Sequence, residues 1–384
     1  MPMTLEAPAG TATPTARPVR VSFVIDNLGR AGTESQLLAL IRTLDRARVE
    51  PTLVLLDGES EESRSLEPDN CEILRLGVKK LVGRSAYHAA KQLRRFWKLH
   101  QPDVAQLYFL DSAYFGLPVA KSCGVPKIVR VRNNLSYWLT RKHRFLNRLL
   151  RPFVAATLTN SAAGRDALMR QDGLKPDRIE VIENGVDVGR FARSGHRPFS
   201  GSTTRIGCVA NLRPVKNVDG LMRVAAKLLQ EFPNLRFEVA GEGEQRGELT
   251  QLHGQLELGD RFRLLGSTRD IPAFLSGLDV AVLPSHSEGM SNALLEYMAA
   301  GRPIVATDVG ASAGLLDGGH CGMLAASSRD DDLIGAFRKL LADPGSARQM
   351  GESARERAAE EYSRDAMRLR FEEFYRRLAG VPVR

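Results

Sequence analysis

The sequence alternates between short β-branched runs and amphipathic helical segments, and this alternation restricts the fold more than any other feature. The run VRVSFVIDN, which starts at Val19, is typical of a strand, and the leucines of residues 32–44 then recur at helical spacing. Consecutive strand–helix units pair their strands in parallel and cover both faces of the sheet with helices. Further predicted strands of the first half are residues 51–56, 71–76, 104–107, 127–131 and 155–159.

A second series of the same kind follows a segment rich in Gly, Ser, Arg and Pro, a composition typical of a linker. Its predicted strands are residues 204–209, 236–240, 262–265, 280–284 and 303–307, and its predicted helices are residues 218–231, 245–258, 292–300 and 331–342. We therefore predict a disordered leader (1–18), a first α/β domain (19–190), a linker (191–203) and a second α/β domain (204–363). Open α/β sheets bind ligands at the carboxyl ends of their strands, so the cleft between the domains is the expected site.

The amino-acid composition limits which binding partners are expected. The net charge of +9 favours anionic partners, and an aromatic content of 6% argues against a platform for stacking nucleic acid bases. The cysteines are scattered without metal-ligand spacing and are predicted to be free thiols in a reducing compartment; they are Cys71, Cys123, Cys208 and Cys321. We expect a cytoplasmic protein because the sequence shows neither an apolar stretch of ~18 residues nor a secretion signal.

The stretch 283–308 carries the strongest chemical signal. A predicted strand ends before a polar loop with Glu288 and Gly289, and Ser291 stands at the N-cap position of the next helix. Free amides at such a helix start suit a phosphate. Glu296 follows Glu288 by eight residues, or about 11 Å of helix, so the two carboxylates could hold separate hydroxyl groups of one ligand. Equally, Glu288 could cap the helix and Glu296 could be a solvated residue.

Three other loops follow predicted strands. Arg213 and Lys216 suit a diphosphate, although a solvated basic loop has the same pattern. Asn184 and Gly185 form a tight-turn signal that also fits a plain domain boundary. The loop with Gly29 and Gly32 lacks the GxGxxG spacing of a dinucleotide site, and the sequence shows neither a Walker lysine motif nor a metal-ligand cluster.

In this order and context, the motifs resemble glycosyltransferase family 4, a family of retaining nucleotide-sugar transferases with the GT-B fold, in which two Rossmann-like domains face each other across a cleft. The motifs are VIENGVD (181–187), NLRPVKN (211–217), VAGEGE (239–244), LLGSTRDIPAFLSGLDVAVLPS (264–285) and EGMSNALLEYMAAGRPIVATDVG (288–310). Glu288 and Glu296 match the E-x7-E signature of the family. The resemblance also implies that the last helix, residues 364–380, packs back on the first domain.

The resemblance implies a donor site for a nucleoside-diphosphate sugar, with no cofactor and no metal ion. Lys216 would contact the diphosphate, Glu288 the transferred sugar, and Glu296 the ribose. Asn211 stands where the family has its usual arginine, and Arg213 would take over that role. The other donor-binding residues implied are Gly289, Met290 and Ser291 at the phosphates, residues 267–271 at the base, and Gly29, Gly32, Thr33 and Asn184 on the opposite side.

The acceptor side departs from the family, since Arg132, Asn133 and Asn134 stand where many relatives have a histidine. The aspartates at 330–332 are predicted to begin a helix and not to bind a metal. Residues 73–102 and 127–151 each contain eight Lys or Arg, no acidic residue, and several aromatics. Such stretches suit an anionic membrane surface and a saccharide or lipid-linked acceptor, as well as solvated basic faces or a soluble anionic acceptor.

Two other functions stay open at this point. A same-fold nucleotide-sugar epimerase would need acid and base groups at the sugar. A non-catalytic protein that binds nucleotide sugars or nucleic acid would rely on the basic stretches. The intact set of Lys216, Glu288 and Glu296 favours a transferase, and no nucleic acid partner is expected.

Overall fold

The computed structural model describes residues 17–57, 60–78, 80–133, 140–191, 198–268 and 270–381. The first domain contains seven strands: β1 (Val19–Ile25), β2 (Val49–Leu55), β3 (Glu72–Arg75), β4 (Val104–Leu107), β5 (Lys127–Val131), β6 (Ala156–Thr159) and β7 (Ile179–Val181). They pair in parallel in the order β3-β2-β1-β4-β5-β6-β7. The strand order reverses beside β1, and such a switch point is where doubly wound sheets bind ligands.

The second domain repeats this design with six strands: β8 (Thr204–Val209), β9 (Leu235–Ala240), β10 (Phe262–Gly266), β11 (Val280–Leu283), β12 (Ile304–Thr307) and β13 (Met323–Ala325). All are parallel, in the order β10-β9-β8-β11-β12-β13. The switch point lies between β8 and β11, so the loops that follow these two strands share one edge of the sheet.

Helices follow almost every strand, which gives the crossovers that parallel pairing requires. Up to the domain boundary they are α1 (Gly32–Thr43), α2 (Glu61–Leu66), α3 (Arg84–His100), α4 (Leu110–Ser122), α5 (Arg141–Leu150), α6 (Ala162–Asp172) and α7 (Val188–Phe191). Beyond it they are α8 (Val218–Glu231), α9 (Arg246–Gln255), α10 (Ile271–Ser276), α11 (Asn292–Ala299), α12 (Ser312–Leu315), α13 (Asp330–Ala342), α14 (Pro344–Glu361) and α15 (Arg364–Ala379).

The final helix α15 completes the core of the first domain. It packs on α1 and β1, and its apolar side chains join the buried cluster around Phe23. Tyr375 is fully buried and its hydroxyl donates to Gln106 Oε1 at 2.9 Å. Glu372 is also fully buried, where Arg48 and Arg368 each approach its carboxylate to 2.9 Å. A helix more than 150 residues along the chain from β7 is thus an integral part of the first sheet's packing.

The chain crosses between the domains at two points that lie side by side. Val186, on the way out of the first domain, forms a β-bridge with Ser363, on the way back. The Val186 amide donates to Tyr362 O at 2.8 Å, and the Arg364 amide donates to Val186 O at 3.0 Å. A Cβ on Gly185 would lie 3.0 Å from the Arg364 Cα, a tight contact, so the glycine eases the close approach of the two crossings.

The predicted leader and linker fall largely on residues 1–16 and 192–197, which lie outside the described ranges. On the far side of this gap, Phe199 already packs on the second core and its amide donates to Asp279 Oδ1 at 2.6 Å. Residues from 198 onward therefore pack with the second domain.

Candidate active site

Two loops at the carboxyl edge of the second sheet bring Lys216 and Glu288 together. Lys216 follows β8 and Glu288 follows β11, and Lys216 Nζ lies 2.7 Å from Glu288 Oε1. Ser285 Oγ donates to the same oxygen at 2.7 Å. Both bonds end on Oε1, and Oε2 accepts no hydrogen bond from the described part of the chain. The pair is partly buried, with exposed fractions of 24% for the lysine and 11% for the glutamate side chain.

Buried Asn217 fixes the two loops against each other. Its backbone is left-handed, with φ of 54°, and its Nδ2 donates to Pro284 O at 3.0 Å and to Ser328 O at 3.2 Å. The His286 amide adds a bond to Val215 O at 2.9 Å. Lys216 therefore stands on a loop whose position is set by hydrogen bonds from both sides.

Helix α11 begins directly after this pair. Ser291 is its N-cap and accepts from the Leu294 amide at 3.3 Å, and Gly301, with φ of 63°, follows its end. Since Ser291 is the cap, Glu288 does not cap this helix, which removes one of the two alternatives for that residue. The helix start, with its amides and the positive end of its dipole, follows Glu288 after a short loop, and a helix start of this kind favours an anion.

Glu296, one turn further along α11, is not a solvated helix residue. Burial raises the pKa of its carboxyl from the usual 4.5 to about 7, although the positive charges of Arg190 and Arg364 oppose this rise. A carboxyl that is desolvated in the free protein gains from a ligand that donates hydrogen bonds to it. This property fits a hydroxyl-binding role.

The first domain meets α11 through Asn292. Its Oδ1 accepts from Gln36 Nε2 at 3.1 Å and from Asn184 Nδ2 at 2.8 Å, while its Nδ2 donates to Gly32 O at 3.2 Å. Gln36 also exchanges two bonds with the backbone of Gly185. Predicted residues Gly32 and Asn184 thus lie at the domain interface. Gln36 was not predicted as a site residue, because it stands among the leucines of α1 without a local signal.

A second contact joins Gly289 to the first domain. A Cβ at this position would clash with the backbone oxygen of Asn133, the second residue after β5. Met290 is buried beside it, and its sulfur accepts from the Asn184 amide at 3.2 Å. The Oδ1 atoms of Asn133 and Asn160 are buried and have no partner among the described residues. They line a small cavity of the first domain together with Thr33, Gln36 and Asn184.

The other predicted site residues make no contact with the Lys216–Glu288 pair among the described residues, or lie outside those residues. Asn211 and Arg213 are exposed on the Lys216 loop, and the Arg213 side chain makes no hydrogen bond within the described ranges. A Cβ on Gly29 would be 4.0 Å from Glu34 Oε1. Asn134 and Arg269, a member of the predicted base loop, lie outside the described residues.

Arg132 is buried in the first domain. Its Nη1 lies 3.0 Å from Asp172 Oδ2, and it lines a second cavity of that domain. Asp172 ends helix α6 on the same face of the sheet and draws the guanidinium there. Only the next residue, Asn133, turns to the second domain.

Two buried carboxyl groups of the first domain were also missed. Asp26 follows β1 and accepts from the Ser112 amide at 2.9 Å and from its hydroxyl at 2.5 Å. Glu34 lies in the first turn of α1. Burial raises the pKa of both groups, and the charge of Asp26 raises the pKa of Glu34 further. The position of Asp26 at a strand's carboxyl end was the available sequence signal.

Two parallel α/β domains that meet through Gly289 and Asn292, beside the lysine–glutamate pair, form the GT-B fold. The family model described as Glycosyl transferases group 1 matches residues 196–357, and the model described as Glycosyltransferase Family 4 matches residues 30–190. The two matches cover the second and the first domain. The chain belongs to glycosyltransferase family 4, and the predicted GT-B fold is confirmed.

Individual relatives agree with this placement. The chain is 28% identical over 310 residues to EpsF of Bacillus subtilis (strain 168), named as a glycosyltransferase, with 75% of this chain and 79% of EpsF covered. It is 27% identical over 274 residues to the glycogen synthase of Mycobacterium tuberculosis, covering 69% of this chain and 63% of that protein. The crystal structure of Anabaena Alr3699/HepE in complex with UDP and glucose superposes with a TM-score of 0.79 at 18% identity, over 93% of this chain and 99% of that one.

The chain is therefore a glycosyltransferase enzyme of the GT-B class. Among the helices of the described ranges, none combines the length and the apolar character needed to cross a bilayer.

Proposed function

We propose that this enzyme transfers a sugar, with retention and without a metal ion, from a nucleoside-diphosphate sugar to a hydroxyl of a saccharide or lipid-linked acceptor. The observation that carries the proposal is the Lys216–Glu288 pair at 2.7 Å, at the start of α11 and opposite the first domain. The HepE structure, which by its description holds UDP and glucose, supports a nucleotide-sugar donor for this fold.

In this proposal the donor diphosphate takes over Lys216 from Glu288. The lysine and the amides of residues 289–291 stabilise the negative charge that develops on the leaving diphosphate, which is the main catalytic contribution. Glu288, released from the lysine and held by Ser285, then accepts hydrogen bonds from the transferred sugar. Exposed Arg213 is free to move onto the phosphates from the same loop.

Retention follows if the acceptor approaches on the face that the diphosphate leaves. An oxygen of the departing phosphate then takes the proton of the acceptor hydroxyl, so no side-chain nucleophile is required. Glu296 holds the ribose through its desolvated carboxyl. Closure of the two domains through Gln36 and Asn292 excludes water, which protects the donor from hydrolysis.

The surface of the first domain favours a lipid-linked acceptor used in cell-envelope polysaccharide or glycoconjugate synthesis. Large apolar side chains are exposed on the predicted basic stretches in α3 and α5 and just before α3: Val82, Tyr87, Leu99, Phe145 and Leu149. Exposed cations surround them, for example Lys91, Arg95 and Lys142. Apolar side chains among cations suit a peripheral contact with an anionic lipid surface. Arg130 and Arg132 are buried and do not belong to this surface.

The donor site is tested by thermal shift with UDP-, GDP-, dTDP- and ADP-sugars on the wild type, Lys216→Ala and the control Lys339→Ala, an exposed lysine of α13. A ligand at 100 times its Kd adds about 2.7 kcal/mol of stability. We expect one nucleotide class to stabilise the wild type and the control but not Lys216→Ala. Absence of any shift, with strongly salt-dependent binding of DNA or RNA instead, would favour the binding-protein alternative.

Asp26 and Glu34 give the epimerase alternative acid and base candidates in the first domain. Incubation of the preferred nucleotide sugar with enzyme alone distinguishes the two reactions. NMR spectra of the products show either an epimerised donor or, with acceptor present, a new glycosidic bond whose anomeric signal reports retention. Full activity in EDTA is expected for a metal-independent transferase.

A further inference from the structure

A cationic cavity lies under helix α5, on one face of the first sheet. It measures about 680 Å³ and is bounded by α5, strands β5 and β6, and the segment that follows α6. Its lining includes the side chains of Arg130, Arg144, Arg148, Arg151, Lys175 and Arg178. Arg132 also lines it, paired with Asp172, and Asp177 is the other acidic residue of the wall. Positive charge therefore exceeds negative charge by about five in this space.

The most buried cation of the cavity has only neutral partners. Arg130 is 6% exposed, and its Nη2 donates to Asn147 Oδ1 at 3.0 Å. Among the described residues no carboxylate forms an ion pair with it. Burial, together with the neighbouring charge of Arg132, lowers the pKa of Arg130 to about 10, so it remains charged at neutral pH. The charge of Asp172, which is paired with Arg132, offsets this lowering only in part. A buried charge without an ion-pair partner of its own is unfavourable, and an anion from outside would reduce that penalty.

Asn147 supplies an independent sign of a missing ligand. Its Oδ1 accepts from both Arg130 and the Tyr114 hydroxyl, at 3.0 and 3.3 Å, which fixes the orientation of the amide. Its Nδ2 is then a donor that is buried in the cavity wall and has no partner within the described ranges. Buried donors are nearly always paired in folded proteins, so an acceptor is expected beside it.

We propose that this cavity binds a phosphoryl or diphosphoryl group, and that the group belongs to the sugar acceptor. Arginines in a partly enclosed site bind phosphate oxygens through paired hydrogen bonds, and the volume admits a diphosphate with part of its substituent. Strand β5 connects this site to the reaction: Arg132 lines the cavity, and the next residue, Asn133, touches Gly289. The assignment to the acceptor rests on the proposed transferase function, whereas the anion site itself does not.

The test measures the binding of inorganic pyrophosphate by titration calorimetry, in a Lys216→Ala background for wild type and variants alike, so that the diphosphate contact of the proposed donor site is removed. The cavity variant combines Arg144→Gln with Arg148→Gln, two side chains exposed enough to be replaced without disturbing the core. The control combines Lys227→Gln with Lys339→Gln, two exposed lysines of the second domain. We expect the cavity variant to weaken binding about tenfold or more, since each lost charged hydrogen bond is worth about a factor of ten. The control is expected to stay within twofold of the wild type.

Asn147→Asp provides a second variant that leaves the surface unchanged. It places a carboxylate beside the site and is expected to abolish pyrophosphate binding. Lys216→Ala separates this site from the donor site, because it removes the nucleotide-sugar shift but leaves pyrophosphate at the cavity. Equal affinities in the cavity variant and the control would overturn the proposal. Failure of every donor to bind would instead contradict the proposed function and leave the anion site standing.

The source of the phosphate is distinguished with vesicles of phosphatidylglycerol and of phosphatidylcholine. If the anion is a lipid headgroup, Asn147→Asp reduces sedimentation with phosphatidylglycerol vesicles as well as pyrophosphate binding. If it belongs to a soluble acceptor, vesicle binding is unchanged while pyrophosphate binding is lost. Both results support a phosphoryl site. If Asn147→Asp impairs neither pyrophosphate binding nor vesicle binding, the proposal is contradicted.

Discussion

Replacing Glu296 by glutamine is expected to stabilise the free enzyme at alkaline pH. Burial raises the pKa of this carboxyl from 4.5 to about 7, so in the folded state the carboxyl resists ionisation. Between these two pH values the folded protein holds a proton that the unfolded chain has lost. Folding stability therefore falls as pH rises through this window, by about 1.4 kcal/mol per pH unit, and is constant above pH 7 with respect to this group.

The size of the effect follows from the shift of the pKa. The difference of about 2.5 units corresponds to about 3 kcal/mol, which is the upper limit of what Glu296 costs the fold above pH 7. Glutamine has nearly the same shape and does not ionise. The gain in stability of Glu296→Gln over the wild type should thus be about 3 kcal/mol larger at pH 8 than at pH 4.5.

Urea unfolding followed by circular dichroism at pH 4.5, 6 and 8 measures this difference. Other titrating groups are common to both proteins and cancel in the comparison. The control is Glu356→Gln, an exposed glutamate of α14, which should change stability equally at all three pH values. If Glu296→Gln shifted stability by the same amount at pH 4.5 and pH 8, the carboxyl would not carry the raised pKa and the burial reasoning would be wrong.

Three further perturbations address the cleft. Lys216→Ala should lower kcat/KM by about 100- to 1,000-fold, the usual effect of losing a group that stabilises the developing charge, as measured by a coupled nucleotide-release assay. Gly289→Ala should lower kcat/KM at least tenfold with little change in unfolding midpoint, because the new Cβ meets Asn133 and holds the domains apart. Asn292→Ala removes the bonds to Gln36 and should enlarge the radius of gyration in small-angle X-ray scattering while the second domain stays folded.

Each of these outcomes has a clear contrary result. Unchanged release of nucleotide by Lys216→Ala would remove the lysine from the diphosphate site. A Gly289→Ala variant with wild-type kinetics would show that the domains do not need this contact during catalysis. An unchanged scattering profile for Asn292→Ala would mean that other contacts hold the cleft closed.

The sequence predicted most of the strands and several helices of the second domain closely, but it gave no bounds for the amphipathic helices α3 and α5. Helix α8 was predicted with its observed bounds, because its apolar and polar faces are sharply separated. Helix α14 was missed, since its buried face consists of Ala347, Gly351, Ala354 and Ala358, which carry little hydrophobic contrast. The three-residue strand β13 is too short to show a period. Local pattern therefore identifies elements whose burial is driven by large side chains.

The candidate site could be predicted where its functional residues lie close together in one sequence motif. The loop and helix around Glu288, Ser291 and Glu296 could be interpreted from spacing, because they are adjacent in the chain. Gln36 and Asn292, by contrast, meet across 256 residues, and neither has a local signal. The basic stretch 127–151 was expected to lie on one surface, but a strand directs Arg130 inward while helix α5 directs Phe145 outward. The tertiary structure is needed to tell which side chains of this stretch point inward and which point outward.

The contribution of α15 to the first core affects the order in which the protein is made. The cluster around Phe23 remains open on one side until residues 364–379 have left the ribosome, by which time the entire second domain has already emerged. The second domain, whose two core clusters draw on residues 186–362, can therefore fold first. A nascent chain that stalls after α14 would carry a folded second domain joined to a first domain with exposed apolar surface, and such a product is a target for chaperones and proteases.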